Sequence, residues 1–273
     1  KPEQIGSIFR LDTQFGGGKT HSLIALTHAV NGMKGVSNPA EFVDPSLLPK
    51  GEVRIAAFDG ENADPANGRR MSAKVRAFTP WGELAYGLGK EAGYKLVERS
   101  DQSGQAPGAE TLRELLGDKP CLILLDELAV YLRKVSTQGV GQAAGQLTAF
   151  LTSLFKAVES APRAVLVYTL ALGKDGKAID AYSQETQTIS AFMAEAESIS
   201  ARKAALLDPT EEDETVKVLC RRLFASIDGS TALRSFSPHA HAPGASSDPN
   251  TSVTVMRVTR RAVKAPSYVN FPW

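Results

Sequence analysis

Three consecutive glycines lead directly into a lysine and a threonine in Phe15-Gly16-Gly17-Gly18-Lys19-Thr20-His21, a composition suited to holding phosphate. Glycines reach the positive φ values that turn successive backbone N–H groups toward an anion, and a helix read over Ser22 to Val30 adds its positive N-terminal end. In such a turn Lys19 reaches the β- and γ-phosphates and the Thr20 hydroxyl ligates Mg²⁺. The full pattern G-x-x-x-x-G-K-[ST] asks for glycine where this chain has Thr13, so the match is complete only in its second half. The competing reading is a glycine-rich strand-to-helix turn followed by a chance Lys-Thr.

A second stretch complements the first. Cys121-Leu122-Ile123-Leu124-Leu125 is an uninterrupted apolar run closed by Asp126-Glu127. A strand buried on both faces reads this way, and acids at its C-terminal end lie where open α/β sheets bind ligands. Asp126 is suited to the Mg²⁺ shell, and Glu127 to orienting and deprotonating an attacking water. Alone, the stretch is also what a leucine-rich strand with a solvated acidic cap looks like; downstream of a Gly-Lys-Thr turn, it points to nucleotide hydrolysis. Ala164 to Leu170 is another buried strand, and its Thr169 falls late enough to meet a γ-phosphate. A threonine favoured simply by β structure fits that position equally well.

The elements that must carry these residues follow from periodicity and punctuation. Ile8 to Leu11 is a short apolar stretch before the glycine turn, and Asn31 to Gly51 reads as a surface loop. Val53 to Phe58 reads as a strand ending in the polar turn Asp59-Gly60-Glu61-Asn62. Thr79 caps a helix with Pro80 at its first position, in which Trp81 and Tyr86 serve packing. Asp101 to Gly108 reads as a loop and Glu110 to Leu116 as a short helix. Leu147, Phe150, Leu151, Leu154, Phe155 and Val158 repeat at helical spacing, so a helix over Gln142 to Ser160 covers the sheet. The polar stretch Asp180 to Ser200 reads as helical, Lys203 to Leu207 as a fifth strand, and Val216, Leu219, Cys220, Leu223 and Phe224 as one face of a further helix. These signals predict an α/β three-layer domain with a central, mostly parallel sheet.

At 273 residues and 42% hydrophobic, the chain can bury a full core. No apolar run approaches the roughly 20 residues of a membrane-spanning helix. Cys121 and Cys220 stand far apart without C-x-x-C spacing, which suits buried thiols in a reduced, cytoplasmic setting. A net charge of +1 gives no global footprint for nucleic acid. From about Ser226 the character changes: residues 235–250 are rich in Ser, Pro, Ala, Gly and His, and Arg257, Arg260, Arg261 and Lys264 follow among short apolar pieces. This end reads either as a basic segment for an acidic partner or, as its lack of periodicity favours, as a truncated or out-of-frame terminus. His239 and His241 on their Pro/Gly-rich loop make a weak metal site.

Taken together, Phe15 to His21, Asp59-Gly60-Glu61-Asn62, Thr79 with Trp81-Gly82-Glu83-Leu84-Ala85, Ala106-Pro107-Gly108, Leu124-Leu125-Asp126-Glu127 with Tyr131-Leu132, and Arg222-Leu223-Phe224 resemble a prokaryotic P-loop ATPase family catalogued as domain of unknown function 499. The resemblance extends from about Ile8 to Phe224. It implies an AAA-type ATPase that uses ATP and Mg²⁺, self-associates into a ring, and remodels DNA or a protein partner in a DNA-modification or phage-defence setting. It carries over Phe15 to His21 as the nucleotide cradle, Thr20 and Asp126 at the metal, Lys19 at the phosphates, Glu127 as base and Thr169 as the first sensor. Arg202 stands where related ATPases place an arginine finger, although a surface arginine in a charged stretch is a slightly better description. The implied organisation is an ATPase core over residues 1–208, the start of a helical lid over 209–228, and an irregular basic tail over 229–273. Two functions compete: Mg²⁺-dependent ATP hydrolysis, for which Glu127 argues, and a nucleotide-binding switch or scaffold without efficient turnover, for which the short lid argues.

Overall fold

The computed structural model of the chain describes residues 8–12, 18–136, 140–170, 184–191 and 205–207. In chain order the strands are β1 (Ile8–Asp12), β2 (Arg54–Asp59), β3 (Arg69–Arg70), β4 (Arg76–Ala77), β5 (Cys121–Asp126), β6 (Ala164–Leu170) and β7 (Ala205–Leu207). The helices are α1 (Lys19–Val30), α2 (Pro80–Ser103), α3 (Ala109–Leu116), α4 (Leu128–Ser136) and α5 (Val140–Ser160), with α6 over residues 184–191. Five strands form one sheet in the order β2-β5-β6-β1-β7, and every neighbouring pair is parallel. The two-residue strands β3 and β4 form a separate antiparallel hairpin.

Strand alternation decides what each face of the sheet covers. Leu122 and Leu124 of β5 join Leu11, Val167 and Leu23 of α1 on one face. Ile123 and Leu125 turn to the other, where they meet Leu166 and the helices α2 to α5. All six residues of β5 are buried, as expected for a strand covered on both sides. The helical stripe read from the sequence packs as expected: Leu147, Phe150, Leu151, Leu154, Phe155 and Val158 are all buried. An α/β architecture with a central parallel sheet between helical layers is therefore observed. Among the described residues, no helix is long and apolar enough to cross a membrane.

Three stretches differ from the sequence reading. Residues 101–103 belong to α2 and not to a loop, because α2 doubles back at Lys90, whose backbone leaves the helical region (φ 53°, ψ −141°). A Cβ on Gly93 would overlap the Ala85 carbonyl, so only glycine lets the two arms approach. The fold-back delivers the buried Asp101 to the start of the helix. There its carboxylate accepts from Phe78 N–H (3.1 Å), Thr79 N–H (2.9 Å), Tyr94 Oη (2.8 Å) and the Thr79 hydroxyl. Thr79 in turn accepts from Gly82 N–H, as the sequence predicted for a cap. The hairpin β3–β4 and the helix α4 are the other two additions. The readings over 171–183, 192–204 and 208–273, which include Arg202, Cys220, the lid and the tail, lie outside the described residues.

The start of α2 holds a second buried carboxylate, Glu83, paired with Arg69 at 3.2 Å. Burial outweighs the arginine and pushes the Glu83 carboxyl up to about 7. Two outcomes are expected. Asp101→Ala strands several buried donors and should lower the unfolding free energy by about 3 kcal/mol or more in denaturant titration. The folded state holds a proton on Glu83 that the unfolded chain releases near its usual value. Stability should therefore fall as pH rises from about 4.5 toward about 7, and Glu83→Gln should flatten that part of the profile.

Candidate phosphate and metal site

The start of α1, from Gly18, and the acid pair meet at the C-terminal edge of the sheet. Gly18 caps α1 in the left-handed region (φ 83°, ψ 10°), a conformation that glycine adopts without a Cβ penalty. Its carbonyl accepts from Ser22 N–H at 2.8 Å and the Ser22 hydroxyl at 3.0 Å, which starts the helix. Lys19 is buried in the first turn at 8% exposure, while Thr20 and His21 are exposed. Residues 13–17, with Thr13, Phe15, Gly16 and Gly17, lie outside the described residues.

Asp126, 3% exposed, is the centre of the arrangement. The Thr20 hydroxyl donates to its Oδ2 at 2.7 Å across 106 residues of sequence. On the other side the Thr169 hydroxyl, from the neighbouring strand β6, donates to Oδ1 at 2.6 Å. Glu127 N–H adds a third donor to Oδ1 at 3.1 Å. The structure thus brings Thr20, Asp126, Glu127 and Thr169 together, beside the N-terminus of α1. The Thr169 hydroxyl, 3% exposed as a residue, is thereby committed to the Asp126 carboxylate.

Glu127 has a constrained backbone. It is one of four non-glycine residues at positive φ among the described residues (52°), and its carbonyl accepts from Tyr131 N–H at 3.2 Å to open α4. The turn after β2 presses against it: Gly60 N–H donates to the Asp126 carbonyl at 3.0 Å, and a Cβ on Gly60 would overlap the Glu127 carbonyl oxygen. Asp59, opposite Asp126 in the sheet register, folds this turn by accepting from Glu61 N–H at 2.9 Å and Asn62 Nδ2 at 2.5 Å. Lys134 of α4 clamps the next residues by donating to the carbonyls of Glu61 and, at 3.0 Å, Ala63. Sequence reasoning took Asp59-Gly60-Glu61-Asn62 as a polar turn and as one of the pieces that carry the family resemblance, with no link to Glu127. Its requirement for glycine arises from a strand distant in sequence.

The donor set suits a hard cation. One hydroxyl and one carboxylate oxygen side by side is the small protein contribution that Mg²⁺ takes when phosphates and waters fill its other positions. No group of three or more His, Cys, Asp or Glu gathers among the described residues. A cleft of about 570 Å³ opens elsewhere, between α2, α4 and α5, with Trp81, Tyr131 and Gln146 in its wall. None of Gly18, Lys19, Thr20, Asp126, Glu127 or Thr169 lines it. The phosphate reading rests on the sheet edge and not on that cleft.

A family model described as the DUF499 N-terminal domain matches residues 2–201. No curated protein matches the chain.

Gly60→Ala should cost about 1–3 kcal/mol of stability in chemical denaturation, because the new methyl meets backbone that cannot retreat without moving Glu127. Gly51→Ala, with nothing within 4 Å of its methyl, should change stability by less than about 0.5 kcal/mol.

Proposed function

The chain belongs to the DUF499 family, and from that premise we propose that the edge of its sheet binds ATP with Mg²⁺ and hydrolyses it. The observation that carries this reading is the hydrogen bond from Thr20 to Asp126, which unites the end of the Gly-Lys-Thr turn with the acid of an all-apolar strand. A chance Lys-Thr after a glycine turn has no reason to meet that carboxylate. The order β5-β6-β1, with Asp126 and Thr169 at the same edge as Gly18, supports a P-loop, AAA-type arrangement.

In this reading the α1 N-terminus and Lys19 offset phosphate charge, and Thr20 and Asp126 hold the metal. Mg²⁺ held by Thr20 and Asp126 would supply charge neutralisation to the phosphates. Glu127 accepts a proton from the water whose oxygen attacks the γ-phosphorus, and the bond to the β-phosphate oxygen breaks to leave ADP and phosphate. Thr169 is a positioning residue: its hydroxyl fixes Asp126 Oδ1 and leaves Oδ2 to Thr20. The work done with ATP is proposed to be remodelling of DNA or a protein partner, in a DNA-modification or defence setting and with self-association into a ring.

The second reading, a switch that binds ATP without efficient turnover, is favoured by one feature. Glu127 is held at positive φ by its neighbours, so the base reaches its working geometry only if they allow it.

The test is ATP binding and Mg²⁺-dependent hydrolysis, measured on the parent, Lys19→Ala and Glu127→Gln. Expected are loss of binding of at least about tenfold in Lys19→Ala, and retained binding with turnover reduced about 10²-fold or more in Glu127→Gln. A parent that binds ATP but releases no phosphate would favour the switch; one that binds no ATP sinks both readings.

A further inference from the structure

We propose that the β3–β4 hairpin is a contact surface for the phosphate backbone of duplex DNA. Residues 65–82 contain no Asp or Glu, and within them stand Arg69, Arg70, Lys74 and Arg76. The ladder sorts these cations by face. The Arg69–Ala77 pair faces inward, where Ala77 is buried and Arg69 meets Glu83. The Arg70–Arg76 pair is exposed on both strands, and Lys74 adds a third cation at the tip with 78% of its side chain exposed.

Folding does not account for this outer face. Like charges directly opposite each other across a ladder destabilise it, and a hairpin with two residues per strand has little stability to lose. The inner face holds it in place: Val75 and Ala77 pack with Tyr94, whose hydroxyl oxygen lies 3.0 Å from the Arg76 carbonyl while its proton goes to Asp101. Neither outer arginine meets a carboxylate among the described residues. Arg70 Nε reaches the Ser72 carbonyl at 3.4 Å, and Arg76 Nη1 donates to the carbonyls of Asn67 and Gly68 at 2.8 and 3.0 Å. Each guanidinium has five donors, so both are oriented by these bonds and keep N–H groups for an external anion. Among the described residues Lys74 pairs with Glu91 at 3.7 Å, itself half-exposed, a pair that contributes little.

The occupant follows from the pattern of charge. A single phosphate is held in a concave nest, whereas these three cations stand exposed on the outer face and tip of a hairpin. Duplex DNA offers one negative charge for about every 1.7 Å of its axis, so all three find phosphates at once without an unstructured chain having to order around them. A two-stranded ribbon is also narrow enough to follow the roughly 12 Å major groove. The contacts are with phosphate, so binding is independent of sequence.

The hairpin is joined to the candidate ATP site by the loop that Gly60 and Lys134 fasten beside Glu127. DNA binding stands without the nucleotide; only stimulation of hydrolysis by DNA rests on the ATPase reading.

The experiment is fluorescence anisotropy of a labelled duplex of about 30 base pairs with the full chain, from about 50 to 200 mM salt, alongside ATP binding on the same samples. Arg70→Ala with Lys74→Ala should weaken DNA binding about tenfold or more and reduce the slope of log K against log salt by about 2, with ATP binding and thermal unfolding unchanged. Arg70→Lys should retain most of the affinity. The proposal is overturned if the parent does not bind duplex, if polyglutamate competes as well as DNA, or if the double variant binds as the parent does, which would hand the contact to Arg257, Arg260, Arg261 and Lys264. A parent that binds duplex but not ATP leaves the hairpin proposal standing and removes the ATPase reading.

Discussion

A carboxylate at the end of an apolar strand organises this molecule. Asp126 is nearly inaccessible, and a buried charge is tolerated only where donors surround it. Its donors come from three places: the first turn of α1, the end of β6, and the next residue along the chain. Satisfying it therefore fixes the N-terminus of α1 and the ends of β5 and β6 relative to each other. That requirement agrees with the strand order, since β6 lies between β5 and β1 and brings both partners to the same edge. The same three elements supply Leu23, Leu124 and Val167 to the apolar cluster below, so packing and polar satisfaction select one register.

Much of this was legible in the sequence because the signals are long or chemically sharp. β5 and β6 are largely apolar runs, α5 repeats its apolar residues over three turns, and Lys19, Thr20, Asp126 and Thr169 sit at element ends, which in α/β sheets are the usual places for ligands. What was missed is short or tertiary in origin. Strands β3 and β4 have two residues each, too few for a period to show. The fold-back of α2 turns on Lys90, a residue with no special tendency to leave a helix, and its reward is a contact between Asp101 and Thr79 that no local pattern announces. Helix α4 was readable in principle, since Leu128, Tyr131, Leu132 and Val135 stand at helical spacing; it starts one residue after Glu127 with no turn residue to mark it.

The motifs that carry the family resemblance divide between the sheet edge and the scaffold behind it. Thr79, Trp81, Gly82 and Glu83 do not reach the sheet edge as ligands. Thr79 and Gly82 are fixed by Asp101, which a Cβ on Gly82 would overlap, and Trp81 packs against Phe150 with ring centres 5.3 Å apart. Asp59 and Gly60 are intermediate: they touch nothing that reacts, yet they set the backbone on which Glu127 stands. A pattern of shared residues thus reports positions where geometry is tight, and only the contacts separate a ligand from a support.

The tightest of these positions links the site to its surroundings. An L residue in the left-handed region costs roughly 1 kcal/mol, and Glu127 stays there because Gly60, through Asp126, and Tyr131 hold the backbone on either side of it. Moving Glu127 to relieved φ values means breaking the Gly60 hydrogen bond or the first bond of α4. The first of these releases a turn whose next carbonyls are held by Lys134, which itself sits on α4. Both routes act on one unit made of the acid, the turn after β2 and the helix that follows β5. A group that pulls on Glu127 therefore pulls on residues 60–64, and the hairpin at 69–77 is the next ordered structure along the chain.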